Sequence, residues 1–136
     1  MVTLPSGLLE YVTDDENLCR FLTQSNHHAA GMAKPAAFLP SPRHRNTSVF
    51  RMGKEPERLV QMWKDTVTGD RTLKGVAFLK AAEVRATQLD VVAAEPPPTH
   101  ANIEGWPWLE QDPAFEKARQ KELACQLASN TTVLLL

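Results

Sequence analysis

The sequence predicts an α+β fold: a single domain over residues 1–136, with a mixed sheet of about four strands and about four helices packed on it. Three observations carry that expectation. Segments with apolar residues at helical spacing alternate along the chain with short runs rich in β-branched residues. The helical segments open near Asp or Pro and close on Gly or Asn, residues suited to helix ends. At 43% hydrophobic and 23% charged, a chain of 136 residues can bury one core without disulfide or metal support.

The elements follow in order. Asp14 or Asp15 is expected to cap a helix from about Glu16 to Gln24, with Leu18, Phe21 and Leu22 on one stripe and Cys19 beside it. Ser25 to Ser41, with two adjacent histidines, Gly31, Pro35 and Pro40, reads as a long ordered loop or a short extended piece. Thr47 to Met52 is β-rich and predicts a strand. A second helix is expected from near Glu55, placing Leu59, Val60, Trp63 and Val67 on one side and stopping at Thr68-Gly69-Asp70. Leu73 to Phe78 reads as a strand, Leu79 to Leu89 as a short helix and Asp90 to Ala94 as a buried strand.

Glu95-Pro96-Pro97-Pro98 suggests a stiff polyproline-type connector. It opens a Pro- and Trp-rich ordered loop over 95–112. The last helix begins after Asp112, with Pro113 at its first position, and runs to about Ala128, where Asn130 ends it. Thr131 to Leu136 is a terminal strand so apolar that it is expected inside the sheet.

Composition excludes several classes. Net charge is −1, whereas a general polyanion binder is strongly basic, so general nucleic-acid binding is not expected. A small disulfide-stapled secreted domain carries more than two cysteines. Cys19 and Cys125 therefore read as reduced, inert thiols in helical patterns, and the default compartment is the cytoplasm. Met1 to Val12 has no basic leader region and is not a signal peptide. No apolar run approaches the roughly 18 residues that span a bilayer, so no membrane partner is expected. The sequence has no Gly-rich phosphate loop, no paired CxxC, no GxSxG and no HExxH, and no cofactor is expected. His27 and His28 are adjacent and no second ligand pair has a metal-binding spacing, so no metal site is expected either.

Three features rise above this background. Charge is segregated: Arg20, Lys34, Arg43, Arg45, Arg51 and Lys54 lie between Asn17 and Lys54 without one acidic residue. Asp90, Glu95, Glu104, Glu110, Asp112 and Glu116 lie between Ala86 and Glu116 without one Lys or Arg. Either the two segments face each other or are solvated, or segment 17–54 binds an anionic ligand. The second feature is Pro42-Arg43-His44-Arg45-Asn46-Thr47-Ser48, running into the strand that holds Arg51, with guanidinium and hydroxyl donors suited to an anion. The third is the Thr99–Trp108 loop, where Trp106 and Trp108 either close one end of the core or form a ligand wall or docking patch.

Two functions are compatible with these features. The first is a non-catalytic binding or accessory module docking on a macromolecular partner, a protein or an anionic ligand, through the Trp106–Trp108 loop or the basic segment 17–54. The second is a small enzyme acting on a phosphate-bearing substrate such as a nucleotide or RNA end. It would hold the phosphates with Arg43, Arg45 and Arg51 and use His44 or His100 as acid or base. The enzyme requires Arg43, Arg45, His100 and Glu104 to share one cleft. The module predicts an exposed apolar patch around Trp106.

Overall fold

A computed structural model of the chain describes residues 2–52, 63, 72–108 and 112–135. The helix expected from Glu55 to Val67 lies outside the described residues except for Trp63, which is helical. The described strands are β1 (Asn17–Leu22), β2 (His28–Ala29), β3 (Met32–Ala33), β4 (Thr47–Arg51), β5 (Gly75–Lys80), β6 (Asp90–Ala93), β7 (His100–Glu104) and β8 (Thr132–Leu135). Two α-helices have described bounds, α1 (Ala81–Arg85) and α2 (Pro113–Ser129), and single 3-10 turns occupy Ser25–His27 and Pro35–Ala37.

Six strands form one sheet in the order β6-β7-β4-β1-β5-β8, while β2 and β3 form a separate ribbon. Every neighbouring pair is antiparallel. The architecture is therefore α and β as expected, but the sheet is antiparallel rather than mixed and has six strands rather than about four; among the described residues two helices have bounds, where the sequence suggests about four.

The largest correction is the helix expected from Glu16 to Gln24, which is the central strand β1. Its partners are β4, with Cys19 opposite Phe50, and β5, with Leu22 opposite Gly75. A strand covered on both faces keeps apolar residues on both, so Leu18, Cys19, Phe21 and Leu22 do not alternate with polar ones. Short runs of this kind fit a helical stripe equally well. The acidic cluster before it makes a turn instead of a cap: the Thr13 N–H donates to Glu16 Oε2 at 2.7 Å and the Thr13 hydroxyl to Asp15 Oδ1 at 2.7 Å. The helix expected over Leu79–Leu89 shrinks to α1, because β5 runs on to Lys80.

Two further expectations change. The Glu95–Pro98 connector is a turn rather than an extended polyproline run. The Ala94 N–H donates to His100 O at 2.9 Å, and the Glu95–Pro96 and Pro96–Pro97 bonds are cis. This turn joins β6 to β7, so half of the expected irregular loop is strand, with Val91 opposite Ile103. The terminal strand β8 is not interior: it flanks β5 at the sheet edge, and Leu134 and Leu135 are each 48% exposed.

The long helix α2 forms where expected. Asp112 accepts from the Phe115 N–H at 3.1 Å and Pro113 takes the first position, where a missing N–H is harmless. Leu123, Ala124 and Leu127 pack on one sheet face against Leu18, Leu22, Val49, Ala77, Ile103 and Phe38. The other face carries a separate apolar cluster of Cys19, Phe21, Phe50, Met52 and Val76, with Trp63 packed against it. No helix among the described residues is long and apolar enough to cross a membrane.

Candidate functional site

The face of the sheet away from α2 holds the densest set of reactive side chains. Alternation along β4 and β7 puts Ser48, Phe50, His100 and Asn102 on this face, with Phe50 opposite His100 and Ser48 opposite Asn102. Ser48 and His100 are thus diagonal neighbours, and Ser48 Oγ lies 2.6 Å from His100 Nε2. The other ring nitrogen, Nδ1, sits 2.9 Å from Ala94 O. A carbonyl only accepts, so Nδ1 carries the proton in the neutral ring. Nε2 then presents its lone pair to the Ser48 hydroxyl, which donates. The imidazole is held at both nitrogens, and the backbone of the same residue is fixed as well, its carbonyl accepting from the Ala94 N–H.

The backbone beside this ring is constrained. Thr99, a β-branched residue, holds φ +66°, and Thr99 O accepts from the Arg51 N–H at 2.8 Å. Such a conformation costs about 1–3 kcal/mol and persists only where surrounding structure enforces it.

Ser48 and His100 open on a cavity of about 360 Å3 lined also by Arg20, Phe21, Thr23, Gln24, His27, Phe50, Trp63 and Pro97. Its walls are aromatic: Phe21 meets Phe50 at 5.2 Å and Trp63 edge-on at 5.8 Å, and Phe50 meets the His100 ring at 5.2 Å. No carboxylate is among its described lining residues. Arg20 is held in place by donating from Nε to Ala37 O at 2.8 Å and from Nη1 to Ser48 O at 2.9 Å. Burial, aided by the charges of Arg20 and His28, pushes His27 down to about 4. His27 is therefore neutral at pH 7. The Thr23 N–H donates to its Nδ1 at 3.3 Å, so its proton resides on Nε2.

The residues singled out from the sequence fall at separate places. His100 is in the cavity. Arg43, His44 and Arg45 lie on an exposed turn between Ser41 and Asn46, and none of them lines that cavity. Arg51 alternates to the opposite face and is 2% exposed. It grips Glu16 at two points, Nε to Oε1 at 2.7 Å and Nη2 to Oε2 at 2.9 Å, and donates from Nη1 to Leu9 O at 2.7 Å. Its carboxylate partner Glu16 lies one residue before the acid-free segment 17–54 rather than in the acidic segment 86–116, and the pairing takes Arg51 away from an anionic ligand. Trp106 is 7% exposed and donates its indole N–H to Ile103 O at 3.2 Å, so it closes the core end. Trp108 is half-buried, and the Arg45 guanidinium lies 4.8 Å above its ring. Glu104 is exposed at the end of β7.

Three members of the acidic segment have partners outside segment 17–54: Asp90 pairs with Arg85, Glu95 accepts from the Ser6 hydroxyl and Asp112 caps α2. Cys19 is in a strand rather than a helix, and burial pushes its thiol up to about 12, which makes it inert. Cys125 is helical but exposed. No group of three potential metal ligands gathers among the described residues.

Sequence reasoning counted Ser48 among the hydroxyl donors of the 42–48 motif and Arg20 in the basic segment, but it joined neither of them, nor His27, to His100. Ser48 stands 52 positions from His100, and only the β4–β7 register joins them. No protein-family model matches the chain, and no curated protein or solved structure shows significant similarity to it.

Proposed function

We propose that the chain is a binding domain for a small planar ligand with an oxygen-rich end, held in the cavity over β4 and β7. One observation carries this reading. The imidazoles of His27 and His100, the Ser48 hydroxyl and Arg20 line one recess walled by Phe21, Phe50 and Trp63. Recesses of a few hundred Å3 with apolar walls and a few convergent polar groups are the usual form of a small-molecule site. The protonated Nε2 of His27 offers a donor that suits an oxygen-rich ligand end. The sequence reading is a module docking on a macromolecular partner through the Trp106–Trp108 loop or segment 17–54; this proposal keeps a binding role but takes a small ligand on the face of β4 that carries Ser48 and Phe50.

Thermal-shift screening with benzoate, salicylate, phenyl phosphate and nucleoside monophosphates tests the reading. At least one compound is expected to raise the melting temperature of the wild type, and Trp63→Ala to abolish that shift. Stabilisation unchanged in Trp63→Ala would refute the assignment to this cavity.

One observation favours a second reading, docking on a macromolecular partner at the exposed turn. Arg45 stacked on Trp108 joins the basic segment to the Trp loop, making one basic and aromatic surface with Arg43 and His44. Replacing Arg43 and Arg45 together by Ala is expected to weaken capture of a short RNA or an acidic peptide at low salt, leaving the melting temperature nearly unchanged. Equal binding by the double variant rules this surface out.

A further inference from the structure

We infer that the same cavity is a nucleophilic-serine centre that cleaves small carboxylic esters, with Ser48 as nucleophile, His100 as base and His27 as donor to the oxyanion. The inference rests on the binding reading above and adds chemistry to it.

Three geometric facts support it. The Ser48 hydroxyl and the lone pair of His100 Nε2 face each other at 2.6 Å, within reach for direct proton transfer. The His100 tautomer is set by Nδ1–H donating to Ala94 O, the role a carboxylate plays in the usual triad. His27 lines the same cavity with its proton on Nε2. A neutral imidazole N–H can donate to a developing oxyanion without giving up its proton, a use also made of a neutral histidine in an enolising enzyme.

In the first half-reaction Ser48 Oγ forms a bond to the ester carbonyl carbon as its proton passes to His100 Nε2. The carbonyl oxygen becomes an oxyanion that accepts from His27 Nε2–H. Collapse breaks the carbon–alkoxy bond, and the proton on His100 Nε2 leaves with the alcohol. In the second, water adds to the acyl carbon while giving a proton to His100 Nε2. The bond to Ser48 Oγ then breaks and Ser48 recovers that proton. The sum is ester plus water to acid plus alcohol. Phe21, Phe50 and Trp63 give a small apolar acyl group its contact surface. Because a carbonyl stabilises the imidazolium less than a carboxylate would, turnover is expected to be slow, and covalent capture is the more sensitive measurement.

The full chain is treated with a fluorophosphonate probe, whose fluoride is displaced by an activated serine, and labelling is followed by intact mass and peptide mapping. A parallel assay monitors p-nitrophenyl butyrate. Expected are one adduct, on Ser48, and none in Ser48→Ala. His100→Gln is expected to label at least about 100-fold more slowly, and His27→Asn to slow p-nitrophenyl butyrate cleavage by about 100-fold. Wild type that stays unlabelled beside a labelled control hydrolase overturns the inference, as does a Ser48 adduct forming equally fast in a folded His100→Gln. Benzoate binding, followed by the emission difference between wild type and Trp63→Phe, separates the two claims. A protein that binds benzoate but never acylates refutes the catalytic step alone, and one that does neither refutes both.

Discussion

Arg51 and Glu16 meet at two points, 2.7 Å and 2.9 Å, with the guanidinium 2% exposed and the carboxylate at the mouth of a turn that precedes the central strand. The pair ties β4 to the entry of β1. Its third tether, to Leu9 O at 2.7 Å, draws in the N-terminal loop. Removing one member leaves a charge that has lost its partner, the costly way to break a buried pair. Arg51→Met is expected to lower unfolding free energy by about 3–5 kcal/mol, and Arg51→Met with Glu16→Leu to recover most of that. Urea unfolding of the three proteins measures both, and a single variant within about 1 kcal/mol of wild type contradicts the account.

Trp106 sits in the main core with its indole N–H bonded to Ile103 O. Trp106→Ala is expected to lower stability by about 3–5 kcal/mol, the range for losing a large buried side chain. Native emission from this ring should be blue-shifted relative to free tryptophan. Single-tryptophan proteins at positions 63, 106 and 108 assign the signals, and a solvated spectrum at 106 would refute its burial.

These two positions show what the sequence makes legible. Helix α2 was readable because Asp112 and Pro113 are local start signals and the segment is long. β4 and β6 were readable from their β-branched runs. β1 was not, because burial on both faces erased the alternation that marks a strand. β7 was hidden among prolines and tryptophans, although His100 to Glu104 does alternate. Of the candidate site, His100 was visible as a lone imidazole. Its partner Ser48 was not, since strand register is a tertiary property. The Arg51–Glu16 pair was invisible for the same reason.

Gly75 controls the edge of the sheet. A Cβ there would stand 2.9 Å from the Leu134 carbonyl oxygen, so β8 can pair with β5 only because the side chain is absent. Gly75→Ala is expected to lower stability by about 1–3 kcal/mol, as overpacking does. Among the described residues, a chain ending at Thr131 loses only exposed or half-buried side chains, and it is expected to stay folded with a deficit of about 2–4 kcal/mol. In that shortened chain Gly75→Ala has nothing left to strike, so the two changes are expected to be less than additive. Guanidinium titrations of the four proteins test this, and full additivity would show that β8 is not what the alanine meets.

His27 sets a pH window. In the unfolded chain it takes up a proton as pH falls through 6.5, whereas in the folded protein burial delays this to about 4. The unfolded state thus binds more protons between these values, and stability is expected to fall as pH drops from 6.5 towards 4 and to level off below. The slope from this one group is at most about 1.4 kcal/mol per pH unit. Urea midpoints at pH 7.5, 6.5 and 5.5 read the effect above the range of ordinary carboxylates. His27→Asn, which keeps an acceptor for the Thr23 N–H, should flatten the profile, and an unchanged slope would assign the loss to other groups.

The strand order carries a kinetic consequence. β1 lies at the centre of the sheet, yet its partners β4 and β5 follow it by roughly thirty and roughly fifty to sixty residues, so neither of its pairings is a local hairpin. Local hairpin formation between β6 and β7 can proceed quickly and alone. The centre cannot, because Leu18, Phe21 and Leu22 have no burial until β4 and β5 arrive on either side. Refolding is therefore expected in the millisecond-to-second class of sheet proteins rated by distant contacts, with β1 the segment that stays exposed longest and a binding target for chaperones until it is enclosed.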